Sequence, residues 1–138
     1  MQTFLPYPDF TSSARVLDRQ RLGKQRVEVL QILNALNGES RGWTSHPATR
    51  MWRGYVPALV SYGLAICAEW RARGYIDNCT GRIAAYAEPG VSPALPAWIG
   101  DPAFHASHRS NLLRKFPEHY AQFGWSEPHD LPYIWPQG

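Results

Sequence analysis

From Ser13 to Asn37 the chain repeats apolar residues at helical spacing. Leu22, Val29, Leu30, Leu33 and Leu36 share one face at 100° per residue, with no proline and one internal glycine, Gly23. Ser12 or Ser13 offers an N-cap and Asn37-Gly38 a stop, so the pattern predicts one helix over 13–37. Pro47 opens a second helix running to about Gly54. Pro57 opens a third ending near Gly74, in which Leu59, Tyr62, Ile66 and Trp70 mark a core face. Asp101-Pro102 is an N-cap and first-turn pair for a fourth helix over about 102–115, and Pro117 permits a final short turn. Residues 38–46 read as a loop, 79–87 as a short segment, and the Pro-, Ala- and Gly-rich 88–100 as a connector. Trp125 to Trp135 is a proline-rich aromatic tail expected to lie over the core. No strand-period alternation persists and no repeat is visible. The class is mainly α: about four main helices with a Pro/aromatic-rich C-terminal tail.

Composition narrows this to one compact domain over 1–138. At 138 residues with 44% hydrophobic side chains there is enough apolar surface for one core without disulfides or structural metal, which excludes intrinsic disorder. The apolar runs are far shorter than the ~20 residues of a spanning helix, so no membrane is expected as partner. Met1-Gln2-Thr3-Phe4-Leu5-Pro6 lacks the basic and apolar regions of a secretory signal, and the expected location is the cytoplasm. Cys67 and Cys79 lack CxxC spacing and read as thiols, Cys67 in the core.

Charge changes the picture more than composition does. Net charge is +3, yet residues 1–53 hold eight basic and four acidic side chains while the remainder is close to balance. Arg15, Arg19, Arg21, Lys24 and Arg26 crowd one stretch against the single acid Asp18, which points to an anionic partner such as phosphate. A solvated helix face is the plainer alternative. Arg15, Arg19 and Arg26 project onto the apolar stripe of the predicted helix, where guanidinium groups must meet carboxylates or border a cleft. A second face carries Arg21, Lys24, Gln25 and Glu28.

Three constellations carry candidate chemistry. In Arg21-x-x-Lys24-Gln25-x-x-Glu28 a carboxylate flanked by cations can stabilise a cationic transition state or move a proton, or it can be an i, i+4 ion pair. In His105-x-x-His108-Arg109, with His46 and His119 elsewhere, no supporting carboxylate or cysteine ligand is spaced for a metal, so no metal and no cofactor is expected. Phosphate or base contact from one face of the fourth helix, near the cleft of Glu28, is the expectation instead. Arg50-Met51-Trp52-Arg53-Gly54-Tyr55 interleaves rings that can stack bases with arginines that can hold a backbone; an amphipathic helix edge explains it about as well.

The order of these motifs resembles the pyrimidine-dimer DNA glycosylase family, and its bacterial members more than its phage members. The likeness is carried by Leu17-Asp18-Arg19-Gln20-Arg21-Leu22 with Glu28 beyond, His46-Pro47, the helix from Tyr62 ending Arg71-Ala72-Arg73-Gly74-Tyr75, and Phe104-His105-Ala106-Ser107-His108-Arg109 with Tyr120. It implies a compact all-α domain, a monomer, that binds double-stranded DNA, flips a base and cleaves the glycosidic bond of a damaged pyrimidine. Abasic-site lyase chemistry follows through a Schiff base on an amine, with Glu28 matching the family's essential glutamate. Arg21 stands where the family has a histidine, and Val27 where it has an arginine. The implied nucleophile is the α-amine, here that of Met1 because Gln2 is too large for efficient Met removal, with Lys24 as second candidate. An α-amine with pKa ~7.7–8.0 is substantially deprotonated at neutral pH, whereas a lysine near ~10.4 must be depressed. DNA contacts then fall to Arg15, Arg19, Arg21, Gln25, Arg26, His46, Trp52, His105, His108, Arg109 and Lys115. A non-catalytic nucleic-acid-binding module, or an enzyme acting on a free nucleotide, remains the alternative.

Overall fold

The computed structural model describes residues 1–38, 44–91 and 93–136. Among them the helices are α1 (Phe10–Val16), α2 (Arg19–Leu36), α3 (Pro47–Trp52), α4 (Val56–Ala72), α5 (Thr80–Ala84), α6 (Pro102–Lys115) and α7 (Pro117–Tyr120), followed by a 3-10 turn, Ala121–Phe123. No strand occurs among the described residues, so the all-α class holds. Nor is any helix there long and apolar enough to cross a membrane. Most of the loop expected over 38–46 lies outside the described residues.

The helix expected over 13–37 is two helices. Asp9, not Ser12 or Ser13, caps α1 by accepting the Ser12 N–H at 2.8 Å. Leu17 is extended (φ −68, ψ 138), and Asp18 then caps α2 by accepting the Arg21 N–H. Tyr120 locks the break: its hydroxyl donates to Asp18 Oδ1 at 2.5 Å and accepts the Asp18 N–H at 3.1 Å. The interruption rephases Arg15 alone; Arg19, at the first position of α2, is exposed, which corrects the expectation for these two, whereas Arg26 meets a carboxylate, Asp77, as a stripe arginine must. Arg15 and Arg19 face solvent, and Arg26 is only partly buried.

α4 crosses α2 at close range. A Cβ on Gly63 would stand 2.7 Å from Val29 Cγ1 and 3.1 Å from Ile83 Cγ2, so only hydrogen fits there. As expected, Leu59, Tyr62 and Ile66 of α4 are fully buried. They join Leu17, Leu22, Trp52 and Phe104 in one cluster, with Trp98 of the 88–100 connector set edge-on to Trp52.

Residues 2–5 run through this core in extended form, buried and without a strand to pair with. Their peptide groups must therefore be satisfied by side chains. Phe4 N–H donates to Gln25 Oε1 and Phe4 O accepts the Tyr62 hydroxyl. Leu5 is clamped by two histidines one turn apart on α6: its N–H donates to His108 Nδ1 at 2.9 Å, and its carbonyl accepts from His105 Nδ1 at 2.7 Å. The tail is sewn along the other side of α6. Arg109 makes a two-pronged ion pair with Glu127, Ser107 Oγ accepts the Ile134 N–H, and Asn111 Nδ2 donates to Leu131 O.

Candidate active site

The N-terminal segment, α2 and the tail enclose a cavity of about 490 Å³. Its chemistry centres on Glu28, which is buried although charged. Oε2 accepts the backbone N–H of Gln2 at 3.0 Å and Gln25 Nε2 at 3.0 Å. The same Gln25 amide donates to Gln2 O at 2.6 Å, and its oxygen accepts from Phe4 N–H and shares the single Tyr62 hydroxyl hydrogen with the Phe4 carbonyl. Every hydrogen-bonding position of Gln25 is thus used, which fixes the carboxylate and the N-terminal segment relative to each other. Glu28 Oε1 is left toward Lys24, whose Nζ is 3.6 Å away on a largely exposed side chain.

Met1 lines the cavity and packs against the core. Its α-nitrogen is three covalent bonds from the Gln2 nitrogen that holds Glu28. His46 lines the cavity while capping α3, its Nδ1 accepting the Ala48 N–H at 3.0 Å. Burial, and then the positive N-terminus nearby, hold the His46 imidazole below its ordinary pKa against the opposing pull of Glu28.

Cations line the cavity as well. Arg21 pairs with the Asp18 carboxylate at 3.2 Å, and Lys115 lies at the end of α6. Burial and the charges of Arg21, Arg114 and Lys24 lower the Lys115 pKa from its ordinary value.

The cavity therefore gathers Met1, Arg21, Lys24, Gln25, Glu28, His46 and Lys115 from the residues singled out in the sequence. The others are placed elsewhere. Arg15 and Arg19 are exposed outside it. Arg26 is tied to Asp77 at 2.6 Å and lies over the Trp70 ring at 4.5 Å. Trp52 is wholly buried, its indole N–H donating to Thr3 Oγ1, and so presents no face to a base. His105 and His108 serve Leu5. Burial takes His108 down to about 3, so it is neutral at physiological pH. Arg109 is held by Glu127 and by the Pro6 carbonyl. Among the described residues no group of three or more His, Cys, Asp or Glu side chains is placed to hold a metal ion.

The sequence reading missed Gln2 as a binding group, along with Phe4, Gln20, Tyr133 and Trp135, all of which line the cavity. Gln2 was considered only for its effect on Met1. The flanking prolines of Leu131-Pro132-Tyr133-Ile134-Trp135-Pro136 signal an extended tail, yet nothing local says that its rings reach α2.

Chemically, the arrangement offers a carboxylate locked by N–H donors beside a chain-terminal amine, within a cationic cavity large enough for a nucleobase-sized group. A family model described as pyrimidine dimer DNA glycosylase matches residues 1–82. The matched stretch holds Met1, Gln2, Arg21, Lys24, Gln25, Glu28 and His46 but not Lys115, Tyr133 or Trp135. No curated protein and no solved structure matches the chain.

Proposed function

Because the chain belongs to the pyrimidine dimer DNA glycosylase family, we propose that it removes damaged pyrimidines from double-stranded DNA and then cleaves the abasic strand, using the Met1 α-amine as nucleophile and Glu28 as its carboxylate partner. The carrying observation is the hydrogen bond from Gln2 N–H to Glu28 Oε2, which ties the residue bearing the amine to the carboxylate.

As the C1′–N1 bond breaks, its electron pair leaves with the base, which takes up a proton. Positive charge grows on C1′ and the ring oxygen, and a carboxylate held in a partly dehydrated cavity stabilises it better than water does. The neutral α-amine bonds to C1′. The C1′–O4′ bond then opens, O4′ takes a proton, and a protonated imine remains. Glu28 accepts a proton from C2′, the freed electron pair forms C2′=C3′, and the C3′–O bond breaks to release the 3′ phosphate. Water hydrolyses the imine and restores the amine. Arg21, Lys24 and Lys115, lining the cavity, hold the flanking phosphates. Lys24 is the second candidate for the amine, being 3.6 Å from Glu28 Oε1.

The test is borohydride trapping on a duplex with one abasic site. A covalent adduct whose mapped peptide contains Met1 is the expected result, and an adduct at Lys24 reassigns the nucleophile. Binding without an adduct leaves the non-catalytic nucleic-acid module in its place.

A further inference from the structure

We propose that the turn at Tyr75-Ile76 is a wedge for duplex DNA: Ile76 enters the minor groove at a base step, Tyr75 and Trp70 back it, and Arg19 and Arg71 hold flanking phosphates. This rests on duplex DNA being the substrate, as proposed above, and adds a contact outside the cavity. Ile76 is 93% exposed, more than any other large hydrophobic side chain among the described residues. Its backbone is nevertheless fixed. Gly74, with φ 91, turns the chain off the end of α4 and donates its N–H to Arg71 O at 2.9 Å. Tyr75 then stacks on Trp70 with ring centroids 4.3 Å apart, and the Trp70 indole N–H donates to the Ile76 carbonyl at 3.0 Å. Beyond the tip, Asp77 accepts the N–H groups of Cys79 and Thr80 and pairs with Arg26. Holding a branched apolar side chain out in water contributes nothing to folding, whereas a turn already tied on both flanks loses little entropy when it binds.

The tip is fastened to the helix that lines the cavity. Trp70 lies so close to Gly23 of α2 that a Cβ there would stand 2.9 Å from its ring. Lys24 follows directly and, with Gln20, Arg21 and Glu28, faces the cavity. A helix with its side chains is about 10–12 Å across, so cavity and tip stand about three base steps apart at ~3.4 Å each. Charge around the tip fits a polyanion. Arg19 is exposed one turn before Gly23 on the same face of α2. Arg71, also exposed, reaches the Thr80 hydroxyl at 3.3 Å, at the foot of the tip. The acids on this side are paired, Glu69 with Arg73 and Asp77 with Arg26, which leaves Arg19 and Arg71 in excess. An apolar side chain with arginines beside it is the means by which minor-groove wedges part a base step and kink the duplex by about 20–90°. A kink near the cavity loosens the stack from which a base must be turned out.

The experiment measures binding and bending of a duplex of about 20 base pairs that carries a stable tetrahydrofuran abasic analogue and a dye at each end. Wild type is compared with Ile76→Ala, Ile76→Leu and Arg19→Ala, whose thermal melts should match it because both side chains are exposed. Ile76→Ala should weaken binding ~10-fold or more and abolish the rise in energy transfer, with the salt slope unchanged, since the loss is of apolar burial. Ile76→Leu should keep affinity and bending, and Arg19→Ala should reduce the salt slope by about 1. A wild type that binds without bending, or an Ile76→Ala variant that retains either property, would overturn the wedge. So would a wild-type dimer in sedimentation that Ile76→Ala dissociates with DNA affinity intact, which makes the tip a contact between copies of this chain. Borohydride trapping by the wild type on a natural abasic duplex separates the two readings. Trapping together with binding that ignores Ile76 removes the wedge alone; bending that needs Ile76, without trapping, keeps the wedge and removes the lyase chemistry. A wild type that binds no duplex at low salt removes both.

Discussion

The backbone N–H of Gln2 donates to Oε2 of Glu28 across 3.0 Å, so the residue that follows the Met1 amine is bonded to the carboxylate proposed as its partner. Glu28→Gln keeps the shape and removes the charge. It should lower base release and borohydride trapping by ~1,000-fold, within the span of general acid–base effects. Duplex affinity should hold or rise slightly as repulsion of phosphate falls. Base release at the wild-type rate would contradict the assigned role.

DNA affinity should depend on the cations that line the cavity. Lys24→Ala and Lys115→Ala should each reduce the slope of log K against log salt by about 1, the contribution of one neutralised phosphate in duplex DNA, and Arg21→Ala by less, because its guanidinium is shared with Asp18. Arg26→Ala should behave differently, because its guanidinium is committed to Asp77 and Trp70. It should cost about 1–3 kcal/mol of stability by removing the cation from Asp77, which keeps its bonds from Cys79 and Thr80, with the salt slope unchanged. Anisotropy titrations over a salt series and urea melts separate the two behaviours.

The histidine clamp on Leu5 predicts acid sensitivity. His108 titrates near 3 in the folded protein and near its ordinary 6.5 when unfolded. Between those values the unfolded chain binds the extra proton, so stability must fall as pH falls, by up to about 1.4 kcal/mol per pH unit for this group. His46 and His105 are shifted the same way and add to the slope. Asp9, Asp18 and Asp77 are held low by their hydrogen bonds and contribute only below about pH 4. Urea midpoints measured between about pH 6.5 and pH 4.5 therefore report the histidines. In His108→Asn the slope should flatten; an unchanged slope there would remove His108 as its source.

Gly63→Ala should destabilise without touching the cavity. The added methyl meets Val29 and Ile83 where α2 and α4 cross. Overpacking of this kind costs about 1–3 kcal/mol. A thermal melt matching the wild type would mean that the crossing relaxes freely.

Helical periodicity made α4, α6 and most of α2 legible, because those segments bury one face each and their caps and prolines are local signals. The break at Leu17-Asp18 was hidden, since its cause is Tyr120, 102 residues away in the chain. The same distance effect governs the histidines. A His-x-x-His pair with few apolar neighbours reads as a cleft face, but the peptide groups of a strand-like segment with no partner strand use both rings. Glu28, Lys24 and Gln25 could be grouped from helical spacing alone. Gln2 and Tyr133 could not, because what unites them is the route of two irregular segments over α6.

That route sets an order of events during synthesis. Leu5 is bonded to residues 100 and 103 positions later, and Tyr133 comes later still. Contacts separated so far along the chain close last, after the local helices have formed. While α6 is still unmade, Gln2 and Phe4 already have partners in Glu28, Gln25 and Tyr62, but the peptide groups of Leu5 have none. A nascent chain would thus carry the carboxylate and its N–H donors before it has the wall of the cavity, which Lys115, Tyr133 and Trp135 complete only at the end of synthesis.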